Sequence, residues 1–147
     1  MREIKFRAWD SESKAWFPFD RDGWVNVHQD GSIIHGHDNE PCFDDDCKLS
    51  LEVMQFTGLK DKNGKDVWEG DILLKKFYAD DVDGKKLIVR FGNGIMDSGV
   101  YNYMGFYFEG LDGDQSDEEN QYLWKPEDGL WAEVIGNIYE NPELLNV

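Results

Sequence analysis

The residues that most enzyme and metal chemistry relies on are scarce in this sequence. Its 147 residues include two cysteines, Cys42 and Cys47, and three histidines, His28, His35 and His37. Two thiols are too few for a disulfide framework, and a reducing compartment leaves them as thiols. Basic residues are also few: 15 Lys and Arg stand against 31 Asp and Glu, giving a formal net charge of -16. Affinity for a phosphate backbone comes from Lys and Arg that neutralise it, so this balance argues against nucleic acid and favours basic partners. No apolar run reaches the length of roughly eighteen residues that a membrane span needs. The first seven residues alternate charge with apolar side chains and do not resemble a signal peptide, so no secretory leader is expected. The expected location is the cytoplasm, with no membrane partner.

Motifs of catalysis are missing as well. There is no Gly-x-Ser-x-Gly elbow, and Gly92-Asn93-Gly94 lacks the Lys and following helix of a phosphate loop. Acidic residues beside Cys47 raise a thiol's pKa instead of activating it. No enzymatic activity and no cofactor are expected.

What the chain does have is aromatic residues, with six Trp, nine Phe and six Tyr. Each can bury about 150 to 250 Å², which supplies a core in spite of the polar average. The organising stretch is Leu51 to Leu73. Its period-2 alternation over 51–56, the Asn63-Gly64 pair and the return through Val67-Trp68 predict a hairpin, followed by a turn at Glu69-Gly70-Asp71.

Around it the chain reads as short strands. Residues 4–9 alternate Ile4, Phe6 and Ala8 against Lys5, Arg7 and Trp9, predicting a half-buried strand. Ala15-Trp16-Phe17 is a brief return, and Trp24–His28 with Ser32–His35 flank an Asp30-Gly31 turn. Residues 36–48 read as an exposed connector, which places a boundary between an N-terminal β subdomain (1–48) and a second domain (49–147). Strands follow over 72–77 and 85–91, with Gly92-Asn93-Gly94 closing their hairpin, and then over 121–124 and 130–135. Asn141-Pro142 opens a short helical turn at the end of the chain.

Residues 100–109 stand apart because both alternating sets are apolar. Val100, Met104, Phe106 and Phe108 form one set, and Tyr101, Tyr103 and Tyr107 the other. Both faces of such a strand should be covered, either by a central position in a sheet or by another chain. Tyr101, Tyr103, Phe106, Tyr107 and Phe108 are therefore the candidate interface. The acidic segment 110–120 reads as a loop.

One metal site comes into consideration. His35, His37, Cys42 and Cys47 could supply two imidazoles and two thiolates to zinc. Their spacing differs from the two-to-four-residue pairs of zinc turns, and exposed loop histidines with unpaired thiols is the simpler reading. Two calcium-like stretches, from Asp61 and from Asp112, fail at the twelfth position, which is Ile72 in one and Leu123 in the other.

Three segments together carry a family resemblance. They are Ile4-Lys5-Phe6-Arg7-Ala8-Trp9-Asp10, the run Met54 to Gly64 with Glu69-Gly70-Asp71-Ile72, and Glu133 to Leu144. In these the chain resembles the YopX family of phage and prophage proteins. The resemblance implies a phage-encoded, mostly β protein of the host bacterial cytoplasm, with an SH3-like barrel in its C-terminal part. It implies no activity, and its shared residues read as structure: Gly58, Gly64, Gly70 and Gly136 permit turns, Phe56 and Trp68 fill the core, and Asn141 caps. The expected behaviour is protein–protein contact and self-assembly into a homo-oligomer. The alternative is an acidic mimic of nucleic acid that occupies a basic host or phage protein. A direct nucleic-acid binder would need Lys60, Lys62, Lys65, Lys75, Lys76, Lys85, Lys86 and Arg90 to form a basic patch.

Overall fold

A computed structural model of the chain describes residues 3–17, 24–27, 33–37, 40–41, 51–76, 84–96, 101–111 and 132–146. For 24–27, 33–37, 40–41, 93–96 and 101–103 it describes the backbone. The described chain is almost entirely β-strand. It separates into one unit of Phe6–Met54 and another of Met1–Lys5 with Gln55–Val147.

In the first unit, β1 (Phe6–Asp10) pairs antiparallel with β2 (Ala15–Trp16), Trp9 opposite Trp16. The turn between them is built on Asp10, whose carboxylate accepts the Glu12 and Ser13 N–H groups and the Ser13 hydroxyl. The Trp9 and Trp16 rings meet edge to face at 5.2 Å, and the Arg7 guanidinium lies 4.6 Å from the Trp16 ring. This arrangement corrects the alternation read from the sequence. Ala8 and Trp9 are both buried, whereas Ile4 is 67% and Phe6 54% exposed. Ala8 and Trp9 point to opposite faces, so this part of the strand is covered on both sides, while Ile4 and Phe6, of the same expected set as Ala8, face water.

The same unit holds a three-stranded antiparallel sheet of β3 (Trp24–Val27), β4 (Ile33–His37) and β5 (Glu40–Pro41), in that order. The expected hairpin of 24–28 with 32–35 is thus present, with Val25 opposite His35. Part of the presumed connector is strand: Gly36 pairs with Pro41 and His37 with Glu40.

β6 (Leu51–Lys60) and β7 (Asp66–Trp68) are the organising hairpin. Hydrogen bonding runs in the order β2-β1-β6-β7, and the division between units falls within β6. Gly58 has φ +84 inside β6, where the register shifts between Phe56 and Lys60, so it makes a bulge and not a turn. The turn itself uses Gly64 at φ +83. Phe56 packs against Trp68 with ring centroids 5.3 Å apart, and Lys5 sits 5.2 Å from the Phe56 ring.

The second sheet has the order β10-β9-β8-β11, all antiparallel, from β8 (Asp71–Lys75), β9 (Lys85–Met96), β10 (Tyr101–Gly110) and β11 (Ala132–Asn137). Its core is Val67, Leu73, Leu87, Val89, Phe108 and Ala132, joined by the partly buried Leu59, Phe106 and Val134. Ile72 and Ile88, directly opposite each other on the other face of β8 and β9, are also buried. One expectation changes here. β9 does not end at Gly92-Asn93-Gly94 but continues to Met96, and β10 is last in the order of the described strands of its sheet, with the expected strand 121–124 lying outside the described residues. Gly92 has φ +151, a conformation open to glycine, and stays in register opposite Gly105.

The chain ends in a 3-10 helix, Pro142–Leu145, preceded by Asn141 as expected. Asn141 makes no side-chain cap. Its Oδ1 instead accepts the N–H of Asn137 at 3.3 Å. Gly136, expected to permit a turn, is there for space: a Cβ at this position would lie 2.5 Å from Asn141 Oδ1 and 2.8 Å from Leu144 Cδ1.

Candidate functional site

Among the described residues, β9 and β10 form the longest paired element, with ten residues in unbroken register from Tyr101↔Met96 to Gly110↔Leu87. Side chains two apart on a strand share a face, so one face carries Leu87, Val89 and Phe91 on β9 and Phe108, Phe106 and Met104 on β10. Along this face burial declines steadily. Leu87, Val89 and Phe108 are core. Phe106 is half-buried against them, in edge-to-face contact with Phe91 at 5.0 Å. Phe91 is 50% and Met104 68% exposed. An apolar face that begins in the core therefore runs out into solvent while keeping its composition.

The opposite face of the hairpin is polar near its base. Arg90, opposite Tyr107, donates its Nε–H to Glu109 Oε2 at 3.0 Å. Glu69 approaches from the turn before β8 and accepts the Gln55 N–H at 3.4 Å. Burial raises the Glu69 pKa, and the Gln55 N–H and the Arg90 charge offset this only in part. No group of three metal-ligating side chains occurs among the described residues.

Of the five interface candidates, Phe108 is 2% exposed and belongs to the core, Phe106 and Tyr107 are half-buried, and Tyr101 and Tyr103 occupy the outer end of β10. The side chains of Tyr101 and Tyr103 lie outside the described residues. Phe91 and Met104 complete the exposed surface. The signal for Phe91 was its phase with Leu87 and Val89, which points outward along the hairpin once the turn is moved past Met96. Among the metal candidates, His35 and His37 are backbone positions of β4, and Cys42 and Cys47 lie outside the described residues. The acidic stretches 80–83 and 112–119 lie outside them too.

The lysines of the hypothetical basic patch are dispersed and largely engaged. Lys60 Nζ binds Asp66 at 2.6 Å, Lys62 binds Glu133 at 2.9 Å, and Lys86 donates to the Leu144 carbonyl at 3.3 Å. Lys75 is buried. Lys65 and Lys76 are exposed. No helix among the described residues is long and apolar enough to cross a membrane.

The sequence profile of the YopX family, described as YopX protein, matches residues 5–146. Among solved structures, the crystal structure of protein EF1440 from Enterococcus faecalis is similar, with 30% identity and a TM-score of 0.52 over 99% of this chain and 100% of that one. No curated protein matches the sequence. With the profile spanning nearly every residue and a solved relative aligned end to end, the chain belongs to the YopX family.

Proposed function

We propose that the protein works by protein–protein contact without catalysis, as a self-assembling accessory protein of phage or prophage acting in the host cytoplasm. In this reading the region 49–147 is an SH3-like barrel, and the outer part of β9 and β10 is its contact surface. A single observation carries the proposal: the face that packs Leu87, Val89 and Phe108 into the core continues through Phe106 and Phe91 to Met104 in solvent. Apolar side chains held on a rigid hairpin beyond the core are what a protein partner covers. Light scattering coupled to size exclusion tests it. The wild-type chain is expected at a multiple of the monomer mass and Met104→Glu at the monomer mass; equal masses for the two would contradict the proposal.

The acidic mimic is the second reading, favoured by the net charge of -16. It predicts a basic host protein that is captured at low salt and released at moderate salt. Capture that does not respond to salt would remove it.

A further inference from the structure

From Asp22 to Cys47 the sequence has no Lys or Arg, yet it holds every histidine and cysteine of the chain together with seven Asp and Glu. These are the side-chain types that ligate transition metals, in a stretch whose charge attracts cations. Backbone pairing decides which of them come together. On β4, His35 and His37 are two positions apart and share a face of the sheet. β5 returns antiparallel after Asp38-Asn39, and its register sets Glu40 directly opposite His37 and Pro41 opposite Gly36. Opposed residues of an antiparallel pair also share a face. His35, His37 and Glu40 therefore occupy three adjoining positions of one face.

We infer that His35, His37 and Glu40 form a binding site for a divalent transition metal of the zinc class, with two imidazoles and one carboxylate supplied from adjoining positions of β4 and β5. Ladder geometry sets the scale: about 6.8 Å between Cα atoms along the strand for the two histidines, and about 4.5 to 5.5 Å across it for His37 and Glu40. A triangle of that size suits three ligands whose donor atoms meet at one ion. Two His and one Glu are an established zinc set, and they leave a fourth position for water. Placed on a strand and not in a loop, the histidines gain Glu40 as their neighbour; Cys42 and Cys47 lie outside the described residues. The same face continues through apolar positions, with Val25 opposite His35 and Val27 opposite Ile33, and an apolar surround strengthens a metal site by limiting water. β5 is only two residues long, so its own ladder holds it weakly, and an ion shared by β4 and β5 ties the two strands together. The site is independent of the contact surface on β9 and β10.

Metal uptake by the full chain tests the site, with zinc and cobalt as probes. After chelator treatment and reloading, the wild-type chain is expected to keep one zinc per chain through desalting. With cobalt it is expected to show the visible bands of a tetrahedral site without the near-ultraviolet band of a thiolate ligand. His35→Ala, His37→Ala and Glu40→Gln are each expected to weaken uptake by more than about tenfold, the least that losing even an outer partner of a ligand costs. Glu40→Gln preserves size and shape, which keeps the test valid should a histidine variant fold poorly. The double variant Cys42→Ser, Cys47→Ser is expected to bind as the wild type does. A wild-type chain that takes up neither metal would overturn the site, as would uptake unaffected by both His35→Ala and Glu40→Gln. Uptake lost with the cysteines but kept in Glu40→Gln would overturn this set of ligands.

Discussion

Asp61 shows how much of this fold is held by single side chains. Its carboxylate is buried and accepts three backbone N–H groups: Asn63 at 2.8 Å and Lys65 at 2.9 Å within the β6–β7 turn, and Val134 at 3.0 Å on β11. Burial pushes its pKa up, but the Val134, Lys65 and Asn63 N–H groups together hold it below the ordinary Asp value. A depressed pKa means that the native state favours the charged form. The stabilisation is present above the unfolded-state pKa and is lost as pH falls through the native one. Asp61→Ala leaves three donors without their acceptor and should destabilise by more than about 2 kcal/mol at pH 7 in denaturant titration, with a smaller difference in strong acid. Glu69 has the opposite sign. Its pKa is raised by burial, so charge on it disfavours the folded state at neutral pH. Glu69→Gln should raise Tm at pH 7, and this gain should vanish as pH falls and the wild-type carboxyl takes up its proton. A gain independent of pH would refute the assignment. In the sequence Asp61 stood out only as the start of a failed calcium-like stretch beside the Asn63-Gly64 turn, and its reach to β11 was not legible, because a contact across 73 positions leaves no local pattern.

At the scale of elements, legibility followed the turns. Asn63-Gly64 marked the organising hairpin correctly, since only a tight turn needs that pair and Gly64 indeed has φ +83. The same reasoning misplaced the next hairpin. Gly92-Asn93-Gly94 looks like a turn, yet Gly92 opposes Gly105 and Gly94 opposes Tyr103 within the ladder. Gly92 is explained by its φ of +151, since a Cβ there would make only ordinary contact, at 3.9 Å, with the Tyr107 ring. β1 was misread for a different reason. Alternation names one buried face, whereas Ala8 and Trp9, on opposite faces, are both buried and Phe6, in phase with Ala8, is exposed. The β11–3-10 helix junction offers a prediction at this scale. Gly136→Ala forces its methyl group into Asn141 and Leu144 and should destabilise by about 1 to 3 kcal/mol, as overpacking typically does. Thermal unfolding would read the loss, and an unchanged Tm would show that the helix can shift without penalty.

Charge governs the behaviour of the whole molecule. The net charge of -16 was legible from composition, and it separates the two readings by the sign of one dependence. Added salt screens repulsion between identical chains, so self-association should strengthen as ionic strength rises from low values. Binding to a basic partner should weaken over the same range. Among the described cations, Lys60, Lys62 and Arg90 are each paired with a carboxylate. The candidate surface was half legible. The apolar composition of residues 100–109 identified the strand, while its place at the end of the order β10-β9-β8-β11 among the described strands emerged only from their pairing.

The most direct test of self-contact through β9 and β10 is the solution mass of wild type and Met104→Glu, measured by sedimentation at matched concentration and salt. Because Met104 lies outside the core, the substitution should leave thermal unfolding of the monomer nearly unchanged. The account predicts an oligomer for the wild type and a folded monomer for the variant. A wild-type chain that sediments as a monomer at high protein concentration would contradict it.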